Sequence, residues 1–176
     1  MRLGLAAAVV VAALCVTSAG RAQSPISEAD VAAFQGTWVL DPVRSGLTEA
    51  GAERRVITAD ATSMRVHVYR PRDSRPFTLV YNLDGSPTTN PFGEGSAVSR
   101  LRREGPGLLT ETVYTVKDQP VTVRELLPPL RSPTPPGADM AIEVMVRVEH
   151  GYQGAPSSLE SPANASKAIK VFQKQP

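Results

Sequence analysis

The chain has 176 residues, 41% of them hydrophobic and 20% charged, with 19 basic side chains against 17 acidic ones and a single cysteine, Cys15. That length suits one domain with an ordinary apolar core. One cysteine excludes a disulfide framework or a thiolate metal centre, and a near-neutral balance excludes long-range attraction to nucleic acid or an anionic membrane.

Met1 and Arg2 make a short basic start, Leu3 to Val16 is an apolar run without charge or proline, and Thr17 to Ala22 is mainly small and polar. This order is that of a cleavable export signal over residues 1–22. The run is shorter than the roughly 18 to 20 residues that span a bilayer, and Gly20 and Ala22 occupy the small positions before a cut. Cys15 follows Leu14 inside the run, without the small residue that lipid anchoring requires, so no stable membrane anchor is expected. Cleavage removes Arg2, Arg21 and Cys15, which leaves 17 basic against 17 acidic groups and no thiol. The expected product is a single periplasmic or secreted domain over residues 23–176.

Ser27 to Phe34 has a serine cap, acidic residues in its first turn and an apolar end, which predicts a helix of about two turns. Gly36 to Leu40 follows as a first strand, stopped by Asp41-Pro42. From there the period is two. Met64, Val66 and Val68 alternate with Arg65, His67 and Tyr69; Phe77, Leu79, Tyr81 and Leu83 alternate with Thr78, Val80, Asn82 and Asp84. In Met140 to His150, Ile142, Val144, Val146 and Val148 share one face. Such runs are half-buried strands. Less regular strands are expected at 53–59, 97–104, 108–116, 121–127 and 168–173, with turns between them and a loop from Asp84 to Gly95. Pro128 to Gly137 and Gly151 to Ser166 read as longer surface loops. Sequential strands without interleaved helices predict an all-β fold: an antiparallel up-and-down barrel of about eight to nine strands preceded by a short N-terminal helix.

The segment Phe34-Gln35-Gly36-Thr37-Trp38-Val39-Leu40-Asp41-Pro42-Val43-Arg44-Ser45 resembles the start of lipocalin-like (calycin-type) β-barrel domains of uncharacterised exported bacterial proteins, in which a short helix leads into Gly-x-Trp on the first strand. The resemblance implies that Gly36 allows close passage at the closed end of the barrel and that Trp38 plugs that end from inside. It also implies a late-strand basic residue packed on the tryptophan, for which Arg147 or Lys170 is the candidate, and a small-molecule cargo.

Searching the sequence for chemistry leaves little. There is no Gly-x-Ser-x-Gly elbow, and His67 and His150, the only histidines, are not placed near a serine, so no catalytic residue is assigned. No metal-ligand spacing and no cofactor motif is present. The glycines at 93 and 95 and at 105 and 107 precede no helix and make no phosphate cradle. Arginines at 65, 70, 72, 75, 100, 102 and 103 are interleaved with acidic residues and read as solvated strand faces. The expected function is therefore that of an exported, non-enzymatic barrel holding a small apolar or amphipathic ligand, with Trp38, Tyr81 and Val144 as lining residues. An alternative is a cell-envelope protein-interaction module with a filled core that docks through residues 128–137 or 151–166.

Overall fold

In a computed structural model of the protein, residues 25–47, 53–71, 75–148 and 165–176 are described. The leader 1–22, His150 and nearly all of the loop 151–166 lie outside them. A helix, α1 (Glu28–Ala32), leads into β1 (Gly36–Leu40), β2 (Arg54–Ala59), β3 (Ser63–Tyr69), β4 (Phe77–Asn82), β5 (Thr88–Phe92), β6 (Gly95–Glu104), β7 (Gly107–Val116), β8 (Gln119–Leu127), β9 (Asp139–Val148) and β10 (Ala165–Lys174). All neighbours are antiparallel and the order is β4-β3-β2-β1-β10-β9-β8-β7-β6-β5, so the first and last strands pair and the sheet curls into a nearly closed barrel. The barrel has ten strands among the described residues, where about eight to nine are expected from the sequence.

The additional strand is β5, inside the stretch read as a loop between Asp84 and Gly95. Its sequence, Thr-Thr-Asn-Pro-Phe, has little apolar alternation and carries Pro91, which donates no ladder hydrogen bond and suits an edge. Its partner is β6. On the other side β4 and β5 have no backbone ladder, and the side chain of Asn90 takes its place. The buried Asn90 amide accepts from Val80 N–H at 2.8 Å and donates to Val80 C=O at 3.2 Å, as a strand backbone would. Phe77 and Phe92 pack edge to face across the same gap, centroids 5.1 Å apart.

The interior face follows the alternation. Met64, Val66 and Val68 on β3, Leu79 and Tyr81 on β4, and Met140, Ile142 and Val144 on β9 are all buried, and they pack with Leu40, Ile57, Leu101 and Phe172. One end of the barrel is stoppered. Trp38, fully buried, donates Nε1–H to Phe34 C=O at 2.7 Å, and Ile26, Val31 and Phe34 fold from the helical segment into the same cluster. α1 is a single turn followed by a tight turn, shorter than expected, since the chain must then pass through Gly36 at φ +121°, a conformation that favours glycine. The helix is tied down by Asp30, which accepts from Ser27 N–H and Oγ–H and pairs with Arg103 on β6.

The basic residue over Trp38 is Lys174, its Nζ 5.7 Å from the ring. Neither expected candidate occupies that place: Lys170 lies four residues back on β10, whereas Lys174 is the register partner of Trp38, and Arg147 is exposed on β9. Lys174 Nζ also donates to Thr134 C=O at 2.7 Å, and the Thr134 hydroxyl donates to Ala33 C=O at 2.7 Å. The proline-rich loop thus straps the stoppered end through a buried threonine, with Pro133, Pro135 and Pro136 left exposed.

If the Asn90 amide is what closes the barrel, Asn90→Ala leaves the half-buried peptide groups of Val80 without that partner. The expected cost is about 2 kcal/mol, read from the urea midpoint, together with faster hydrogen exchange at the Val80 amide. Unchanged protection at Val80 would show that the gap closes without it.

Candidate functional site

β2 departs from the apolar pattern of its neighbours. Glu53 and Arg55 lie on the inward side of the chain with Ile57, and both are buried. On β8 the inward side continues Val121 and Val123 with Glu125 before Leu127. In the strand order β2 and β8 are separated by β1, β10 and β9, so Arg55 meets Glu125 through the barrel interior and not along a ladder.

The geometry is that of a fork on a carboxylate. Arg55 donates from Nη1 to Glu125 Oε2 at 2.9 Å and from Nη2 to Oε1 at 2.7 Å, while its Nε donates to Glu53 Oε1 at 2.7 Å. Glu53 Oε2 accepts in turn from Lys170 Nζ at 2.9 Å and from Arg70 Nε at 3.3 Å. The Arg55 guanidinium also lies 4.7 Å from the centre of the Phe172 ring, on the stoppered side. Pairing of this kind is what keeps buried charges tolerable.

Burial alone would lower the Arg55 pKa, yet the charges of Glu125 and Glu53 outweigh it and raise it. Burial alone would raise Glu53, but the charges of Arg55, Lys170 and Arg70 hold it down at about 2. For Glu125, too, burial opposes and the Arg55 charge prevails, so its pKa is lowered. Tyr81 is pushed up to about 12 by burial and by the Glu125 charge. The two carboxylates are therefore ionised and the phenol protonated at neutral pH.

Arg55 and Glu125 form part of the wall of a cavity on the side away from the stopper. Its enclosed room is about 60 Å³, enough for the centres of roughly four to six waters, and its free space is about 510 Å³ when the mouth is included. Three hydroxyls join the polar wall: Tyr81, Thr110 and Thr112. The Tyr81 hydroxyl is 3.3 Å from Thr112 Oγ1, and Ser99 Oγ is 3.1 Å from the same atom. Interleaved with these polar groups are Val66, Val68, Leu79 and Val123 and the rings of Phe77, Phe92 and Tyr114; Val68 is the register partner of Arg55, and Val123 that of Thr112. Phe92 and Tyr114 stack with centroids 4.5 Å apart. The lining combines hydroxyls and paired charges with hydrocarbon, as small-molecule sites do.

Of the residues singled out from the sequence, Tyr81 is in this wall. Trp38 is the stopper at the other end, and Val144 is a buried β9 residue paired with Glu125 in register; neither lines the cavity. Arg55, Glu53 and Glu125 were not singled out, although Glu125 stands in phase with Val121, Val123 and Leu127, a carboxylate in the inward register. His67 faces outward and shares a 2.8 Å hydrogen bond with the Thr78 hydroxyl. Among the described residues no group of three or more metal-ligating side chains converges.

No family model matches the chain, and no curated protein matches it. Solved structures do. A secretory abundant heat soluble (SAHS) protein from Ramazzottius varieornatus superposes with a TM-score of 0.50 at 11% identity, over 81% of this chain and 96% of that one. A fatty acid transporter, REP1-NXSQ, superposes with a TM-score of 0.44 at 8% identity, over 81% of this chain and 96% of that one. At 11% identity the likeness to the first is one of fold: a nearly closed antiparallel barrel.

The depressed carboxylate pKa values make the barrel acid-sensitive in a defined window. Glu53 falls from 4.5 to about 2 in the fold, so its contribution is fully present above about pH 4.5 and is lost as pH drops through about 2. A loss on the order of 3 kcal/mol is expected from urea unfolding across that window, and Glu53→Gln should flatten the slope. An equally steep slope in the variant would assign the acid sensitivity elsewhere.

Proposed function

We propose that this protein is an exported, non-enzymatic, lipocalin-like barrel that binds a small amphipathic molecule, polar head at the Arg55–Glu125 wall and apolar part toward the mouth. The observation that carries the reading is the mixed lining of the cavity, with hydroxyls and a saturated ion pair set among aliphatic and aromatic side chains. The enclosed room takes a head group and a short stem, and a longer tail must extend through the mouth.

The same groups speak against catalysis as the main role. A general acid or base works best with a pKa near the operating pH, whereas Glu125 is shifted down, Arg55 up and Tyr81 to about 12. Each carboxylate oxygen of Glu53 and Glu125 already accepts from a cation. Export is supported by the basic start, apolar run and small polar end of residues 1–22. The strap formed by Thr134 spends part of the proline-rich loop on holding the stoppered end, which favours the cavity over that loop as the functional element.

The binding test is an amide NMR titration of the 23–176 protein with 1-octanol, octanoate and octyltrimethylammonium. Saturable shifts at Tyr81, Thr112 and Val123 are expected from at least one of them, and Val123→Phe, which fills the cavity, should weaken that ligand about tenfold or more while the protein stays folded. Shifts confined to the outer faces, or none, would exclude the cavity as a site. For export, the intact mass of protein recovered from the envelope or medium of its own host should correspond to a chain starting at Gln23; a mass that retains residues 1–22 would exclude cleavage there.

A further inference from the structure

We infer that the cavity takes amphiphiles with an uncharged, hydrogen-bonding head group, such as an alcohol, amide or ester, and rejects carboxylates, because the chain places its own carboxylate, Glu125, where a ligand anion would sit on Arg55. This rests on the cavity being a ligand site, as proposed above, and adds the class of head group.

Arginine inside an apolar barrel is an obvious receptor for a carboxylate, since its planar fork matches two carboxylate oxygens. Here that fork is already occupied. Nη1 and Nη2 hold both oxygens of Glu125 at 2.9 and 2.7 Å, and Nε holds Glu53 at 2.7 Å. The side chains of Arg55 and Glu125 are only 5% and 15% exposed. A ligand carboxylate would have to displace Glu125 and leave it buried without a partner, or settle beside it as a like charge where water screens little.

Charge balance points the same way. From Lys170 through Glu53 and Arg55 to Glu125, cation and carboxylate alternate along a continuous chain of hydrogen bonds, two of each sign. Arg70, also in the lining, is bonded to Glu53 and 41% exposed, so water screens its charge. That buried chain is thus neutral in itself, and the further positive charge in the lining is the screened one of Arg70.

What the lining does offer is hydroxyl groups. Tyr81, Thr110 and Thr112 line the cavity, and their internal partners lie at 3.1 to 3.5 Å, longer than the 2.7 to 2.8 Å typical of O–H···O bonds. Hydroxyl hydrogens rotate, so each group can turn to donate to, or accept from, an entering polar oxygen at little cost. A neutral head therefore gains shorter hydrogen bonds without disturbing the ion pair.

The experiment compares three ligands with the same eight-carbon chain, 1-octanol, methyl octanoate and octanoate, on the 23–176 protein at pH 7 and fixed salt, followed by amide shifts at Tyr81 and Thr112. Octanol or the ester should bind at least about tenfold more tightly than octanoate. In Glu125→Gln, which removes the resident anion, the ratio should move toward octanoate by about tenfold or more. Equal or tighter binding of octanoate by the unaltered protein would overturn the inference while leaving the cavity a binding site, as would a ratio unmoved in a folded Glu125→Gln variant. If that variant does not fold, the ester and acid pair on the unaltered protein decides by itself. Binding of none of the three in the cavity would remove both the inference and the reading on which it rests.

Discussion

A single side chain, Arg55, divides the interior of this barrel. It projects inward from β2, crosses to Glu125 on β8 and is steadied by Glu53 beside it, while its other face lies over the ring of Phe172. A buried guanidinium without partners would be prohibitively costly, so once Arg55 points inward the two carboxylates must follow it, and Lys170 must then balance Glu53. The core packs as one aliphatic and aromatic cluster that includes Trp38, and this ionic strut contributes polar groups to the wall of a cavity within it.

The two ends differ in how they satisfy backbone and side-chain polar groups. At the stoppered end every element is tied to another: Trp38 to Phe34, Thr134 to Ala33, Lys174 to Thr134, and Ile26 N–H to Leu83 C=O. α1 is too short to be stable by itself and exists because these contacts hold it. Along the barrel wall, the seam between β4 and β5 is the weak line, closed by one amide side chain and one aromatic pair in place of a backbone ladder. The seam runs past Phe77 and Phe92, which are also part of the cavity wall, so closure of the barrel and shape of the cavity are set by the same two rings.

In the proposed binding mode, the polar contacts depend on the groups that the strut leaves free. Arg55 and Glu125 neutralise one another, and the hydroxyls of Tyr81, Thr110 and Thr112 remain as the adaptable polar groups. In that mode the apolar side chains of the lining supply the non-directional part, which scales with the hydrocarbon surface removed from water.

Much of the fold is legible in local pattern. Alternation of Met64, Val66 and Val68, or of Ile142, Val144 and Val146, identifies both the strand and its inner face, because side chains on a pleated backbone point to opposite sides in turn. Gly36 and Trp38 carry the resemblance that implies a plugged end, and Trp38 supplies the plug. β5 was not legible, because Thr88 to Phe92 becomes a strand only through pairing with β6 and through an Asn90 side chain that reaches a strand before it in the chain. Lys174 was likewise hidden, as the register that sets it opposite Trp38 depends on the pairing of the first and last strands. The cavity wall was legible only in Tyr81. Sequence by itself determined where the alternating strands run and which way their residues point, since both are properties of neighbouring residues; tertiary structure alone decided that β5 is a strand and that Arg55 and Glu125, 70 positions apart, neutralise one another inside the barrel, since barrel closure brings the partners together.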